Sequence, residues 1–295
     1  MNIHLSSRQG LKSSLLWILS AVLTIVCFTY QDKTGPTYPL EGDFPTHKGV
    51  VHFKFLRSET IGATLKVMLL VPLPEGLQAS VRYRRFKSND AWSSLPLNPG
   101  TFEFSRRGHR ETVSGIGAEL PSLNERAGKY EYFVDVDDGE GDRRSVTAEK
   151  PVYARYKADV PTGILIIHIV VIFASMTFGI RTMLEAFVNG KFKWMLRVTV
   201  ATLLLGAFVL GPLVQRYAFG VWWSGVPFGY DWTDNKVLLE LLFWILALFM
   251  NRGKRYRRWP VYLAGILTLA VYFIPHSIFG SEYDYTTGSG RGTAG

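Results

Sequence analysis

Three ionisable residues, His168, Glu240 and His276, each interrupt a long apolar run of this sequence. An ionisable side chain within a membrane span is costly and usually faces the interior of a helix bundle, so each is a candidate functional residue. Counted at about 1.5 Å per residue from the polar flanks, all three are expected within about 10 Å of the same membrane surface. The sequence therefore predicts one polar layer near one face of the membrane.

Two histidines at similar depth on different helices suit a b-type haem, because neutral imidazoles on facing helices are its usual bundle ligands. His168 and His276 are the predicted ligands. A non-haem metal is the alternative, since imidazole and carboxylate suit Fe, Mn or Zn. It would add three carboxylates to the two histidines: Asp231, Asp234 and Glu240. In a third hypothesis no cofactor binds, and the histidines fasten helices by hydrogen bonds.

Aromatic and acidic residues flank this layer on the same side. The connection at 217–236 is rich in rings, which favour the membrane interface. Two further carboxylates follow the last apolar run. We expect these residues to contact a quinone or a protein partner: Trp222, Trp223, Tyr230, Trp232, Glu282 and Asp284.

Five apolar runs must position these residues, and their lengths approach those of membrane spans. The first follows Arg8 and Lys12 and resembles a signal anchor. In the third run, Gly211 and Pro212 fit either a break in the helix or the terminus of the span. The runs are 15–30, 163–180, 198–214, 237–250 and 261–280.

Orientation follows from the basic residues in the connections. Four Lys or Arg lie between the second and third runs, and five lie at 252–258 between the fourth and fifth. By the positive-inside rule both connections are cytoplasmic, so residues 31–160 and the C-terminus lie outside a bacterial inner membrane. The predicted organisation is a cytoplasmic N-terminus at 1–14, the anchor at 15–30, an exported (periplasmic) domain at 31–160, a four-helix membrane domain at 161–280 and an external tail at 281–295.

The exported segment alternates between apolar and charged residues, as in strands with one buried face. Short strands at intervals of about ten residues predict a β-sandwich, plausibly immunoglobulin-like. Six such segments are evident: 51–55, 65–69, 81–84, 101–104, 130–134 and 152–156. The chain is thus predicted to be an α+β membrane protein.

Composition limits the function classes. The net charge of +9 is not a nucleic-acid signal, because residues 31–161 hold 19 Lys/Arg and 18 Asp/Glu, leaving the excess beside the apolar runs. One cysteine, Cys27, excludes disulfides and thiolate clusters within a chain. Three hypotheses remain: a redox module of an electron-transfer assembly, a scaffold whose exported domain docks a partner, and a small-ion or proton pathway.

Overall fold

The computed structural model describes residues 2–106, 109–139, 143–275 and 280–291, with the side chains of 2–9, 104–110 and 291 outside the description. The chain divides into two compact units. The helical unit comprises Met1–Pro36, Val160–Tyr217 and Val221–Gly280. The sheet unit comprises Thr37–Asp159, Ala218–Gly220 and Ser281–Gly295.

The described residues of the helical unit form six α-helices and one π-helical segment. In the described part of the chain, three stretches are long and apolar enough to span a membrane: Gly10–Thr34, Thr162–Phe187 and Lys193–Phe219. The helices are α1 (Asn2–Thr34), α2 (Thr162–Phe187), α3 (Lys193–Leu205), the π segment (Gly206–Leu210), α4 (Gly211–Phe219), α5 (Trp232–Met250) and α6 (Trp259–Tyr272).

The fourth and fifth predicted spans, which correspond to α5 and α6, are not among these three stretches. Helix α5 carries Asp234, Lys236 and Glu240 within 19 residues, which lowers its hydropathy. Helix α6 is 14 residues long and ends at Tyr272, just before Pro275. The prediction of an α+β chain with an N-terminal apolar helix is confirmed. Helices α5 and α6 are apolar, but they differ in length or charge content from the three candidate spans.

The third predicted span does not end at Gly211 and Pro212, because helix continues through both residues to Phe219. Pro212 lacks an amide hydrogen and would interrupt a regular α-helical ladder. The π segment directly before α4 changes the hydrogen-bond register, and such π-bulges are often found at functional sites. The proline is thereby accommodated without breaking the helix.

Helix α2 occupies a central position, since it packs against α1, α3 and α6. Helix α5 packs on α3 and α6. The unit's main core contains Trp244, Phe192 and Leu196, all fully buried or nearly so. Gly179 of α2 lies beneath the Trp244 ring, where an added Cβ would be 3.2 Å from Cζ2. Small residues of this kind let helix backbones approach closely.

The sheet unit contains two large sheets. The first is antiparallel, with the spatial order β1 (Leu40–Thr46), β2 (Gly49–Phe55), β4 (Leu65–Leu70), β8 (His109–Leu120) and β7 (Asn98–Arg106). The second is mixed, because β3 runs parallel to β11. Its order is β3 (Ser58–Thr60), β11 (Val152–Lys157), β9 (Lys129–Asp137), β5 (Gln78–Arg85) and β6 (Ser93–Pro96), with β10 (Arg144–Ser145) paired to β9.

Both sheets contribute side chains to one hydrophobic core. Phe55 and Leu65 come from the first sheet, and Tyr132 and Tyr156 come from the second. All four are fully buried. Each of the six segments predicted from alternation falls within a strand, because a period of two residues is a local property of half-buried sheets.

Residues Ser281–Gly295 belong to the sheet unit. They include a hairpin of β12 (Glu282–Asp284) and β13 (Ser289–Arg291). Tyr285 packs against the sheet core, and its backbone amide donates to the Lys87 carbonyl at 2.9 Å. The carboxylate of Glu282 pairs with Lys87 and Lys129. The hairpin is therefore an integral part of this unit.

Candidate functional site

One face of helix α5 carries a buried polar column. Lys236, Glu240, Trp244 and Ala247 follow one another at spacings of four, four and three residues, which places them on the same side of a helix. All four are buried, with Glu240 only 2% exposed. A lysine and a glutamate are thus enclosed among helices on a face that apolar residues would ordinarily occupy.

Among the residues that the structure describes, the Glu240 carboxyl group has a hydrogen-bond partner on one oxygen and none on the other. The Thr268 hydroxyl donates to Glu240 Oε1 at 2.7 Å. The Trp244 indole nitrogen donates in turn to Thr268 Oγ1 at 2.9 Å, which directs the hydroxyl hydrogen toward Glu240. Within the described residues, Glu240 Oε2 is buried and has no hydrogen-bond partner. The carboxyl group is oriented by one oxygen and leaves the other available for chemistry.

Lys236 lies one helical turn from Glu240 but binds elsewhere. Its ammonium donates to the Ile274 carbonyl oxygen at 2.8 Å. Gln31 of α1 donates to the same oxygen through Nε2 at 3.3 Å. Ile274 follows the end of α6, where unpaired carbonyls carry partial negative charge. The lysine is thereby satisfied by a helix end, within electrostatic range of Glu240.

This arrangement suits proton exchange. A buried carboxylate is strongly disfavoured unless it is paired, whereas a buried neutral carboxyl group is tolerated. Glu240 can gain or lose a proton at Oε2 while Oε1 remains anchored. Among the described residues, no group of three His, Cys, Asp or Glu side chains converges as a metal-binding set.

The other predicted carboxylates meet at a different point. Asp234 accepts from the Ser224 amide at 2.7 Å and from the Ser224 hydroxyl at 3.0 Å. Asp231 caps α5 by accepting from the Thr233 amide at 2.7 Å, and it also receives the Ser224 hydroxyl at 3.4 Å. Gln215 donates to Asp234 at 2.5 Å. These contacts fasten the preceding loop to the start of α5.

That loop presents the predicted aromatic residues to the surroundings. Trp222, Tyr230 and Trp232 expose large fractions of their side chains. Trp223 instead stacks on Phe208, with 5.5 Å between ring centroids. Because the loop backbone is held by Asp234 and its neighbours, the exposed rings project from a fixed base. Amphipathic rings in such positions favour a membrane interface.

His168 is half-buried and engaged on one ring nitrogen. Its Nδ1 lies 3.1 Å from the carbonyl oxygen of Gly206, the first residue of the π segment. That contact leaves Nε2 for another partner, as is usual for a histidine oriented toward a metal. His276, the second predicted haem ligand, lies outside the described residues. The predicted pairing of His168 with His276 stays a prediction.

Glu282 and Asp284 belong to the sheet unit. Burial opposes the charge of Glu282, but Lys87 and Lys129 outweigh it and leave the pKa of that carboxyl below its usual range. Asp284 accepts from the Thr286 amide at 2.9 Å and shapes the hairpin turn. Structural contacts account for both residues.

Sequence reasoning missed four residues that belong to the polar column or to its hydrogen-bond network. Lys236 was recognised only as the edge of a span, although its spacing of four from Glu240 is a visible signal. Thr268, Trp244 and Gln31 carry no comparable signal, because threonine, tryptophan and glutamine are ordinary residues in or beside apolar helices. Their role depends on which helices pack together.

Comparison with known proteins adds no further identification. No protein-family model, no curated protein and no solved structure matches this chain.

Proposed function

We propose that the helical unit is a proton-handling membrane module in which Glu240 takes up and releases a proton. The observation that carries this proposal is the buried Oε2 atom of Glu240, which has no hydrogen-bond partner among the residues that the structure describes. Ionisable groups inside membrane helices commonly mark proton relays. A carboxyl group held on one oxygen by Thr268 can change its protonation state without losing its position.

A carbodiimide experiment tests the proposal. Hydrophobic carbodiimides add to protonated carboxyl groups in apolar surroundings and leave a stable acylurea adduct. In the full-length protein in mild detergent, we expect an adduct at Glu240 that forms faster as the pH is lowered. Peptide mass spectrometry locates it. The variant Glu240→Gln should lose the adduct.

Glu185→Gln is the matched control. Glu185 lies in the same unit but pairs with Arg181 at 2.5 Å, so we expect no adduct at this residue. The control should leave the labelling of Glu240 unchanged. An unmodified Glu240 at every pH, together with no protonated-carboxyl infrared band lost in Glu240→Gln, would overturn the proposal.

We also infer that the protein spans a bacterial inner membrane five times, with the sheet unit and the C-terminus outside. Three helices long and apolar enough to span a membrane, the apolar helices α5 and α6, and the basic connections support this topology. Reporter fusions after Gly190 and Arg258 should be cytoplasmic, and a fusion after Gly295 should be external. A cytoplasmic C-terminus would contradict it.

For the sheet unit we infer an immunoglobulin-like β-sandwich. The order β2-β4-β8-β7 corresponds to strands A-B-E-D of that fold, and β11-β9-β5-β6 corresponds to G-F-C-C′. Amide hydrogen exchange on the whole protein should be slowest in β4, β8, β9 and β5, which have neighbours on both sides. Rapid exchange in these strands would contradict the assignment.

A second candidate function is electron transfer through a b-type haem or another metal centre on His168. The Nδ1 contact with the Gly206 carbonyl favours it, because it leaves Nε2 as the coordinating atom. A reduced-minus-oxidised spectrum of protein from a haem-competent host should show a b-type α-band that His168→Ala removes. A colourless preparation without bound metal would leave His168 as a helix contact.

A further inference from the structure

Lys236 and Glu240 have the spacing of an ion pair but do not form one. Residues four apart on a helix are neighbours on its surface, and a basic and an acidic residue at this spacing normally pair. Here the Lys236 ammonium binds the Ile274 carbonyl, and Glu240 Oε2 has no partner within the described residues. A neutral Glu240 explains why the two residues do not pair, because an uncharged carboxyl group attracts an ammonium only weakly.

The Ile274 carbonyl has a second donor in place. Gln31 Nε2 lies 3.3 Å from the same oxygen. If Lys236 moved away, Gln31 would still donate a hydrogen bond to the Ile274 carbonyl oxygen. The movement would therefore leave no buried acceptor without a donor. Lysine is also a flexible point charge with rotatable donors, suited to exchanging one oxygen for another.

We infer that Lys236 is a mobile counter-ion that moves from the Ile274 carbonyl to the Glu240 carboxylate when Glu240 releases its proton. This inference rests on the proposed function. In the step the O–H bond of Glu240 breaks, the proton passes to water, and the carboxylate accepts a hydrogen bond from the Lys236 ammonium. The buried site changes from a lone cation to a neutral ion pair, and one positive charge leaves as hydronium.

Other groups near the pair do not replace Lys236. Tyr272 of α6 lies within electrostatic range of Glu240, and Asp231 before α5 lies within range of Lys236. Neither of these two is a cation. Helix α3 also packs on α5, and its ionisable residues, Lys193 and Arg197, lie in its first two turns. Lys236 is thus the cation placed to compensate a charged Glu240.

Solid-state nuclear magnetic resonance tests the movement directly. In lipid vesicles containing the full-length protein with labelled lysine and glutamate, we expect no contact between Lys236 Nζ and Glu240 Cδ at low pH. The contact should appear at high pH and should be absent from Glu240→Gln at every pH. A contact present at low pH as well would overturn the movement.

Infrared titration tests the consequence. In Lys236→Met, the protonated-carboxyl band of Glu240 should persist to higher pH than in the natural protein, at a proton concentration about tenfold lower. The reason is that the carboxylate of this variant has lost its counter-ion. Lys236→Arg should restore the original range. Lys193→Met is the matched control, since Lys193 also binds a backbone carbonyl, that of Gly253, at 2.9 Å.

The outcomes separate the two proposals. If no band assignable to Glu240 titrates in the natural protein, the proposed function fails. If that band titrates but Lys236→Met leaves its range unchanged, only the mobile counter-ion fails. Should Lys236→Met not fold, Gln31→Leu serves instead. It removes the substitute donor at Ile274, so it should hold Lys236 there, weaken the high-pH contact and extend the band to higher pH.

Discussion

Buried carboxylates are treated differently in the two units. In the sheet unit, Arg82 donates two hydrogen bonds of 2.5 and 3.2 Å to Asp135, and Arg84 donates one of 2.6 Å to Glu131. In the helical unit, Glu240 is as deeply buried, but among the described residues it receives only a threonine hydroxyl on one oxygen. The arginine pairs fix a charge in place, whereas the threonine contact leaves the charge free to change.

The same contrast exists within the helical unit. Arg181 and Glu185 have the same order and spacing as Lys236 and Glu240, but their pair is closed at 2.5 Å. Arginine offers a planar set of donors that matches a carboxylate, while lysine is a flexible point charge. Glu185 is also more exposed, at 18% of its side chain, so its charge is less costly. Sequence spacing alone therefore does not determine whether an ion pair forms.

The largest expected effect is the difference in stability between two carboxylate-to-amide substitutions, one in each unit. Asp135→Asn should lower the local free energy of unfolding by about 2 kcal/mol, because it leaves the Arg82 pair without its charged acceptor. Glu240→Gln should cost less than about 0.5 kcal/mol, because the amide oxygen can still accept from Thr268. Hydrogen exchange of β9 and α5 in the full-length protein measures both. Equal losses would remove the contrast.

An intermediate effect should follow from Thr268→Val. The change removes the acceptor of Trp244 and the donor to Glu240, and we expect a loss of about 1 kcal/mol in detergent. Thermal unfolding followed by α5 exchange measures it. Thr202→Val is the control, since the Thr202 hydroxyl donates to carbonyls of its own helix. Matching losses in both variants would show that the polar column has no special role in stability.

The smallest expected effect is the pH dependence of stability that arises from a partly exposed ion pair of the sheet unit, Arg85 with Asp90. The hydrogen bond from Arg85 holds the pKa of Asp90 below its ordinary value, against a smaller opposing effect of burial. A carboxyl with a lowered folded-state pKa contributes stability above its unfolded pKa, and this is lost as the pH falls through the folded value.

For a pair this exposed, the contribution should be a few tenths of a kcal/mol. Asp90→Asn should remove that part of the acid dependence, which unfolding measured between neutral and strongly acidic pH would detect. Glu75→Gln serves as a comparison, since Glu75 is exposed and has no ion pair among the described residues. An acid profile unchanged by Asp90→Asn would mean that the Arg85 pair contributes nothing to stability.

The sheet unit was predictable where its pattern is local. Alternation in segments such as 65–69 and 130–134 located β4 and β9, because the side chains in the shared core, such as Leu65, Val67 and Leu69, recur at every second residue. The hairpin of β12 and β13 was predicted only as a tail. Its partners Lys87 and Lys129 lie 195 and 153 residues before Glu282, so no local pattern links them.

For the candidate site, the sequence by itself placed Glu240 inside an apolar segment and one turn from Lys236. Those facts follow from hydropathy and helical periodicity, which are properties of neighbouring residues. Only the tertiary structure decided that Oε1 is bound, that Oε2 has no partner within the described part of the chain, and that the lysine binds the Ile274 carbonyl. Thr268 is 28 residues from Glu240, and Gln31 is 243 residues from Ile274. Such contacts depend on the rotation and register of packed helices, which no stretch of sequence fixes alone.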